Sequence, residues 1–173
     1  MFQIVPPTDC TRALAMACAE GFAAGVAGSR VPLGASPASR QAFLAGASAS
    51  GKLDGSEHGE QVAVFKFLEL LEPHWPELVG SIHAVPNGGQ RSKAVAGKLK
   101  AEGVRSGIPD ICVPLPSQGF SSLRLELKAK GGQLTDSQKL RMPMLRALGN
   151  QVAVCVGWHA AVREIIDYVW PEQ

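Results

Sequence analysis

Asp110, Glu126 and Lys128 are the residue types in this chain best suited to do chemistry together. They lie in Gly107-Ile108-Pro109-Asp110 and Leu125-Glu126-Leu127-Lys128. Two carboxylates and a lysine, the last two separated by one apolar residue, suit a metal-dependent phosphodiesterase site. Side chains in a strand alternate between faces. Glu126 and Lys128 are therefore expected on one face, and Leu123, Leu125 and Leu127 on the other. A glutamate and a lysine side by side, amid leucines bound for a core, need partners to offset their burial. A divalent cation and a phosphate would provide them. Magnesium takes a few carboxylate oxygens and completes its shell with water and phosphate oxygens. Asp110 and Glu126 would supply the protein oxygens. The cation would lower the pKa of a bound water and neutralise phosphate charge. Lys128 would position or activate that water, or stabilise the pentavalent transition state. A Pro-Asp turn and a surface Glu-Lys strand would explain each motif singly, but not their order and strand context together.

Several elements must position these residues. The periodicity predicts an amphipathic helix over 57–71, with Val64, Phe65, Leu68 and Leu71 on its apolar side and Pro73 and Pro76 ending it. Strands are expected at 81–85, 110–113, 122–128 and 151–156. Helices are expected at 90–102, 135–148 and 159–169. The order is α-β-α-β-β-α-β-α, a mixed α/β layout. Pro109 suits the first residue of a strand, which puts Asp110 at the sheet margin. Thr135-Asp136-Ser137-Gln138 fits a capping box with Thr135 as the cap. Residues 1–50 are richer in Ala, Gly, Ser and Pro. There Thr8 or Asp9 would cap a helix running to about Ala27, and a second helix would cover 38–47. Residues 48–56 read as a linker. The expected division is therefore an N-terminal helical region, 1–52, and a catalytic domain, 53–173.

The quoted motifs resemble the VRR-NUC family of the PD-(D/E)XK nuclease superfamily over about 57–169. The likeness also takes in Ala84-Val85-Pro86-Asn87-Gly88-Gly89 with Arg91, and Lys98-Leu99-Lys100-Ala101-Glu102-Gly103-Val104. It continues through Gly131-Gly132, Ser137-Gln138 and Gly157-Trp158. The resemblance implies a restriction-endonuclease-like αβββαβ core with a mixed sheet. It implies a divalent-metal-dependent DNA endonuclease using Mg2+, with Mn2+ able to substitute. Asp110, Glu126 and Lys128 would be its catalytic set. It adds a glutamate on the first core helix near the metal. Glu57 lies nearer the centre of the apolar stripe than Glu60 and is favoured, so the metal set would be Asp110, Glu126 and Glu57. It also places Gln138 near the catalytic lysine, a role compatible with the capping box. The stand-alone members it is most similar to are phage or prophage proteins, which implies homodimers acting on branched or junction DNA in the cytoplasm of a bacterial or phage-infected cell. The alternatives are a relaxed duplex or nicking nuclease and a catalytically silent nucleic-acid-binding module. Residues 19–46 are also similar, more faintly, to the ribosome modulation factor family, a helical hairpin whose glycines would let two helices approach closely.

Charge and composition narrow the partners. The net charge of +2 is too small to mark a nucleic-acid binder by itself, so local clustering decides. Arg91, Lys93, Lys98, Lys100 and Arg105 stand against Glu102 alone, a local net of +4. With Asn87 in the preceding Pro-Asn-Gly-Gly turn, they form a segment expected to hold DNA phosphates without reading bases. The four cysteines have no CxxC spacing, which argues against zinc and against a disulfide framework. The four histidines have no ligand-like spacing. No signal peptide or membrane-spanning run is expected.

Overall fold

The computed structural model describes residues 7–8, 11–29, 36–50, 54–86 and 92–171; of the side chains within them, those of residues 40, 43, 48–50 and 93 are not described. Its elements, in chain order, are α1 (Arg12–Val26), α2 (Pro37–Ser50), α3 (Glu57–Leu71), α4 (Pro76–Val79), β1 (His83–Ala84), α5 (Lys93–Ala101), β2 (Ile111–Val113), β3 (Leu123–Lys128), α6 (Asp136–Ala147), β4 (Gln151–Val156) and α7 (Trp158–Val169). From α3 onward the expected order holds, with the short α4 added where Pro76, which needs no N–H partner, opens a helical turn. The four strands form one mixed sheet in the order β1-β2-β3-β4. β1 and β2 pair antiparallel, as do β2 and β3, while β4 runs parallel to β3.

The sheet has two unlike faces because β3 alternates. Leu123, Leu125 and Leu127 enter the main core with Ile111, Val113 and the apolar sides of α3 and α7. On α3 the buried residues include Val64, Phe67, Leu68 and Leu71, spaced i, i+3, i+4, i+7. Phe65, expected in this stripe, falls outside that spacing and is only partly buried; Phe67 takes the core position. The opposite face of the sheet carries α6. A smaller buried patch of Cys112, Met142 and Val152 lies outside the main core cluster.

The N-terminal helices belong to the same core. Ala15, Cys18, Ala19 and Phe22 of α1 and Ala42 of α2 are buried within it. Phe22 meets Phe67 of α3 and Trp158 of α7 edge to face, at centroid separations of 6.2 and 5.0 Å. Arg12 donates to the Trp170 carbonyl at 2.7 Å and pairs with Asp167 at 2.5 Å. A Cβ on Gly46 would lie 2.0 Å from the Phe22 carbonyl oxygen, so α2 can approach α1 this closely only with glycine there. Residues on both sides of the expected 52/53 boundary thus contribute to one core. Two further expectations change here. Thr11, and not Thr8, caps α1, and Asp9 lies outside the described residues. α2 continues to Ser50, so the linker is shorter than 48–56.

Candidate active site

Asp110 immediately precedes β2, and its carbonyl accepts from the Val85 N–H at 2.7 Å. The pairing of Ile111 with Leu125 places Asp110 across from Glu126. Asp110 Oδ2 accepts from the Leu127 N–H at 3.0 Å, which fixes the carboxylate against β3. Glu126 is fully buried and Lys128 nearly so. Lys128 Nζ lies 2.7 Å from Glu126 Oε1 and 3.2 Å from Glu57 Oε1. Gln138 Nε2 donates to the same Glu126 oxygen. The structure therefore brings Asp110, Glu126, Lys128, Glu57 and Gln138 together.

Local structure explains how these side chains are held. Gln138 does two things at once. Its Oε1 accepts from the Thr135 N–H at 2.8 Å, completing the capping box of α6, while its amide nitrogen reaches Glu126. Gly107 adopts φ +78°, and a Cβ there would lie 2.3 Å from the Ser137 carbonyl oxygen. Only glycine lets the Gly-Ile-Pro-Asp segment press against the first turn of α6. The two glutamates of α3 have separate fates. Glu57 reaches Lys128, whereas Glu60 Oε2 accepts from the Trp158 N–H at 2.7 Å and so caps α7, whose own N-cap residue, Gly157, has no side chain to do it. That capping role had no signal in the sequence, because both glutamates sit on one first turn.

The electrostatics of the cluster are unbalanced. Burial raises the Asp110 carboxyl above its usual range, against the opposing Leu127 hydrogen bond and Lys128 charge. Glu126 is pushed up to about 7. Burial is the main cause, the hydrogen bond from Lys128 opposes it, and the charge of Asp110 adds to it. Burial pulls the Lys128 amine down, but its contacts with Glu126 and Glu57 outweigh this, so the ammonium form is favoured. Glu126 Oε2 is buried with no hydrogen-bond partner. Two facing carboxylates with one oxygen unsatisfied need a proton or a cation between them. Asp110 and Glu126 thus fit a divalent ion, and Glu57 stands beside them through Lys128. Among the described residues no three His, Cys, Asp or Glu side chains form a ready-made cage. A magnesium ion, bound by one or two carboxylates and otherwise by water and phosphate, needs none.

One consequence is measurable without activity. A carboxyl whose folded pKa exceeds its unfolded value binds its proton more tightly in the folded state. The stability this confers is full below the unmodified value of 4.5 and is lost as pH rises through about 7. The thermal midpoint of the ion-free protein should fall across that window. Glu126→Gln, which cannot ionise, should flatten the fall. An equally steep fall in Glu126→Gln, measured by calorimetry, would show that another group is responsible.

Of the expected DNA-contacting residues, those whose side chains are described make no hydrogen bond or ion pair with this cluster. Lys98, Lys100 and Arg105 are exposed, and Lys98 makes a 3.8 Å ion pair with Glu102. None of the described side chains of α5 is buried. Asn87, Arg91 and the side chain of Lys93 lie outside the described residues.

A mixed sheet with α6 on one face, helices packed on the other, and a carboxylate-lysine cluster at its margin defines a nuclease-like module. The VRR-NUC domain matches residues 68–158, just over half of the chain. Among solved structures, one described as a VRR-NUC domain protein matches with a TM-score of 0.54 and 25% identity, over 66% of this chain and 88% of its own. No curated protein matches. The chain belongs to the VRR-NUC domain family. Among the described residues, no helix is long and apolar enough to cross a membrane.

Proposed function

We propose that this chain is a divalent-metal-dependent endodeoxyribonuclease that hydrolyses phosphodiester bonds in branched or junction DNA. One observation carries the reading: buried Glu126, with its unpartnered oxygen and half-buried Asp110 beside it, sits against a charged lysine inside a family of nuclease domains. Mg2+ or Mn2+ held by Asp110 and Glu126 would supply charge neutralisation and an acidified water. The protein's own groups do the rest. Lys128, kept protonated by Glu126 and Glu57, offsets charge developing on the phosphate. Gln138 holds the Glu126 carboxylate in place from the cap of α6. The Asp110 carboxylate is oriented by the Leu127 N–H.

A dimer would present two sites to the two strands of a junction. An unpartnered apolar surface supports it. Leu140 and Met144 of α6 and Leu148, its C-cap, recur every fourth residue and are exposed, as are Val154 and Val156 on the edge strand β4. Such a surface marks an interaction site on a folded protein. The deciding experiment is magnesium-dependent cleavage of junction, flap, duplex and single-stranded DNA, with the mass of the free and bound protein measured by light scattering. Tight binding without cleavage of any substrate would leave a silent binding module. A monomeric mass retained on a bound junction would defeat the dimer.

The exposed cations of the α5 segment would supply affinity without sequence choice. Lys98→Ala with Lys100→Ala should weaken DNA binding and flatten its salt dependence by up to about two phosphate contacts. An unchanged slope in a salt titration would show that these lysines do not touch the backbone.

A further inference from the structure

Arg124 is a charge without a counterpart. Its Nε is buried and makes no hydrogen bond. Among the described residues no carboxylate or carbonyl accepts from its guanidinium. A partly buried cation with an unsatisfied N–H is costly, and an ordinary structural arginine would have found an acceptor. Its position is informative. Alternation along β3 puts Arg124, Glu126 and Lys128 on one face, so the two cations flank the central carboxylate. The strand pairings place Arg124 in a row with His83, Cys112 and Val152. Asp110 and Glu126 occupy the next row on that face, about 6–7 Å along the strand. Cys112 and Val152 are buried and offer the guanidinium no strong acceptor. The row ends in solvent at the exposed His83.

A guanidinium fork matches a phosphate better than any other common anion, because two parallel N–H groups meet two oxygens. Lys128 already serves the phosphate nearest the carboxylates. We propose that Arg124 clamps the neighbouring phosphodiester of the same strand, one nucleotide from the scissile bond. It is a substrate-binding residue of the site, and the inference rests on the nuclease reading. The clamp makes its contact equally before and during reaction, so it serves affinity more than the chemical step.

The test compares full-length wild type with Arg124→Met, which keeps the bulk without the charge, and Arg124→Lys, which keeps the charge without the fork. Binding to labelled junction DNA is followed by anisotropy without divalent ion over a range of salt, and cleavage is followed with magnesium. Arg124→Met should raise Kd and KM about tenfold, change kcat little, and lower the salt slope by about one phosphate contact. Arg124→Lys should keep most of the salt slope and recover only part of the affinity. The thermal midpoint of Arg124→Met should hold or rise, because an unpaired cation leaves the interior. An unchanged slope and KM in Arg124→Met overturn the clamp. So does a loss of kcat that tracks a lowered thermal midpoint, which is the mark of a structural residue. If wild type binds DNA but never cleaves it, the nuclease reading falls, and the salt slope still decides whether Arg124 holds a phosphate. If wild type binds no DNA, both fall together.

Discussion

Lys128→Ala should lower metal-dependent cleavage by on the order of a hundredfold or more, the scale set by loss of a preorganised electrostatic group. Lys128 is nearly buried and held between Glu126 and Glu57. In the proposed mechanism it would therefore meet the reacting phosphate without having to be ordered first. Removing it also leaves Glu126 buried beside Asp110 with no cation, so the carboxyl keeps its proton at neutral pH and loses its hold on metal. Asp110→Asn and Glu126→Gln should cost as much by removing that charge directly. The three variants differ in the ion-free protein. Glu126→Gln relieves a buried carboxylate, and its thermal midpoint above pH 7 should match or exceed that of wild type. Lys128→Ala takes away the hydrogen-bond partner of the buried Glu126 carboxyl, and its midpoint should drop. Single-turnover cleavage with magnesium, set beside thermal unfolding, separates these effects. Near-normal cleavage by Lys128→Ala would end the proposed mechanism.

Phe22→Ala should destabilise the whole protein by about 3–5 kcal/mol, the usual cost of emptying a buried phenylalanine site. That is a large share of the 5–15 kcal/mol or so that holds a typical domain together. Phe22 is fully buried where three helices meet: α1 carries it, α3 supplies Phe67 and α7 supplies Trp158. A chain beginning at Leu53 removes Phe22, Ala15, Cys18 and Ala19 at once and uncovers the apolar sides of α3 and α7. It should lose its cooperative thermal transition and bind a hydrophobic dye. A sharp, reversible transition in the truncated protein would show that the core closes without α1.

The nuclease half of the fold was legible because its signals are local. Alternation in Leu123–Lys128 fixes which side chains share a face, and the Thr135–Gln138 box fixes where α6 starts. Arg124 obeys the same alternation, and its place beside Glu126 could be read from the sequence. That it lacks a partner could not, since this depends on what β2, β4 and α6 bring near it. The N-terminal half misleads for a related reason. Alanine and glycine are common in loose tails, but small side chains also let helices touch, as Gly46 does against the Phe22 carbonyl. Composition alone does not tell the two apart. Phe67, by contrast, was legible: with Val64, Leu68 and Leu71 it completes the i, i+3, i+4, i+7 stripe, which Phe65 does not.

The first helix closes on the last. Arg12 binds the chain at Asp167 and Trp170, and Phe22 rests on Trp158. During synthesis, α1 therefore leaves the ribosome long before its partner exists. At ~5–20 residues per second, the 146 residues from Arg12 to Trp158 take roughly 7–30 s to appear. Throughout that interval the apolar side of the α1–α2 pair has nothing of its own chain to cover it except α3. Folding is in this sense a ring closure, slow to complete because its decisive contacts join the two ends of the sequence. A newborn chain stalled before α7 would expose Phe22, and a chaperone that binds apolar helices would find it there.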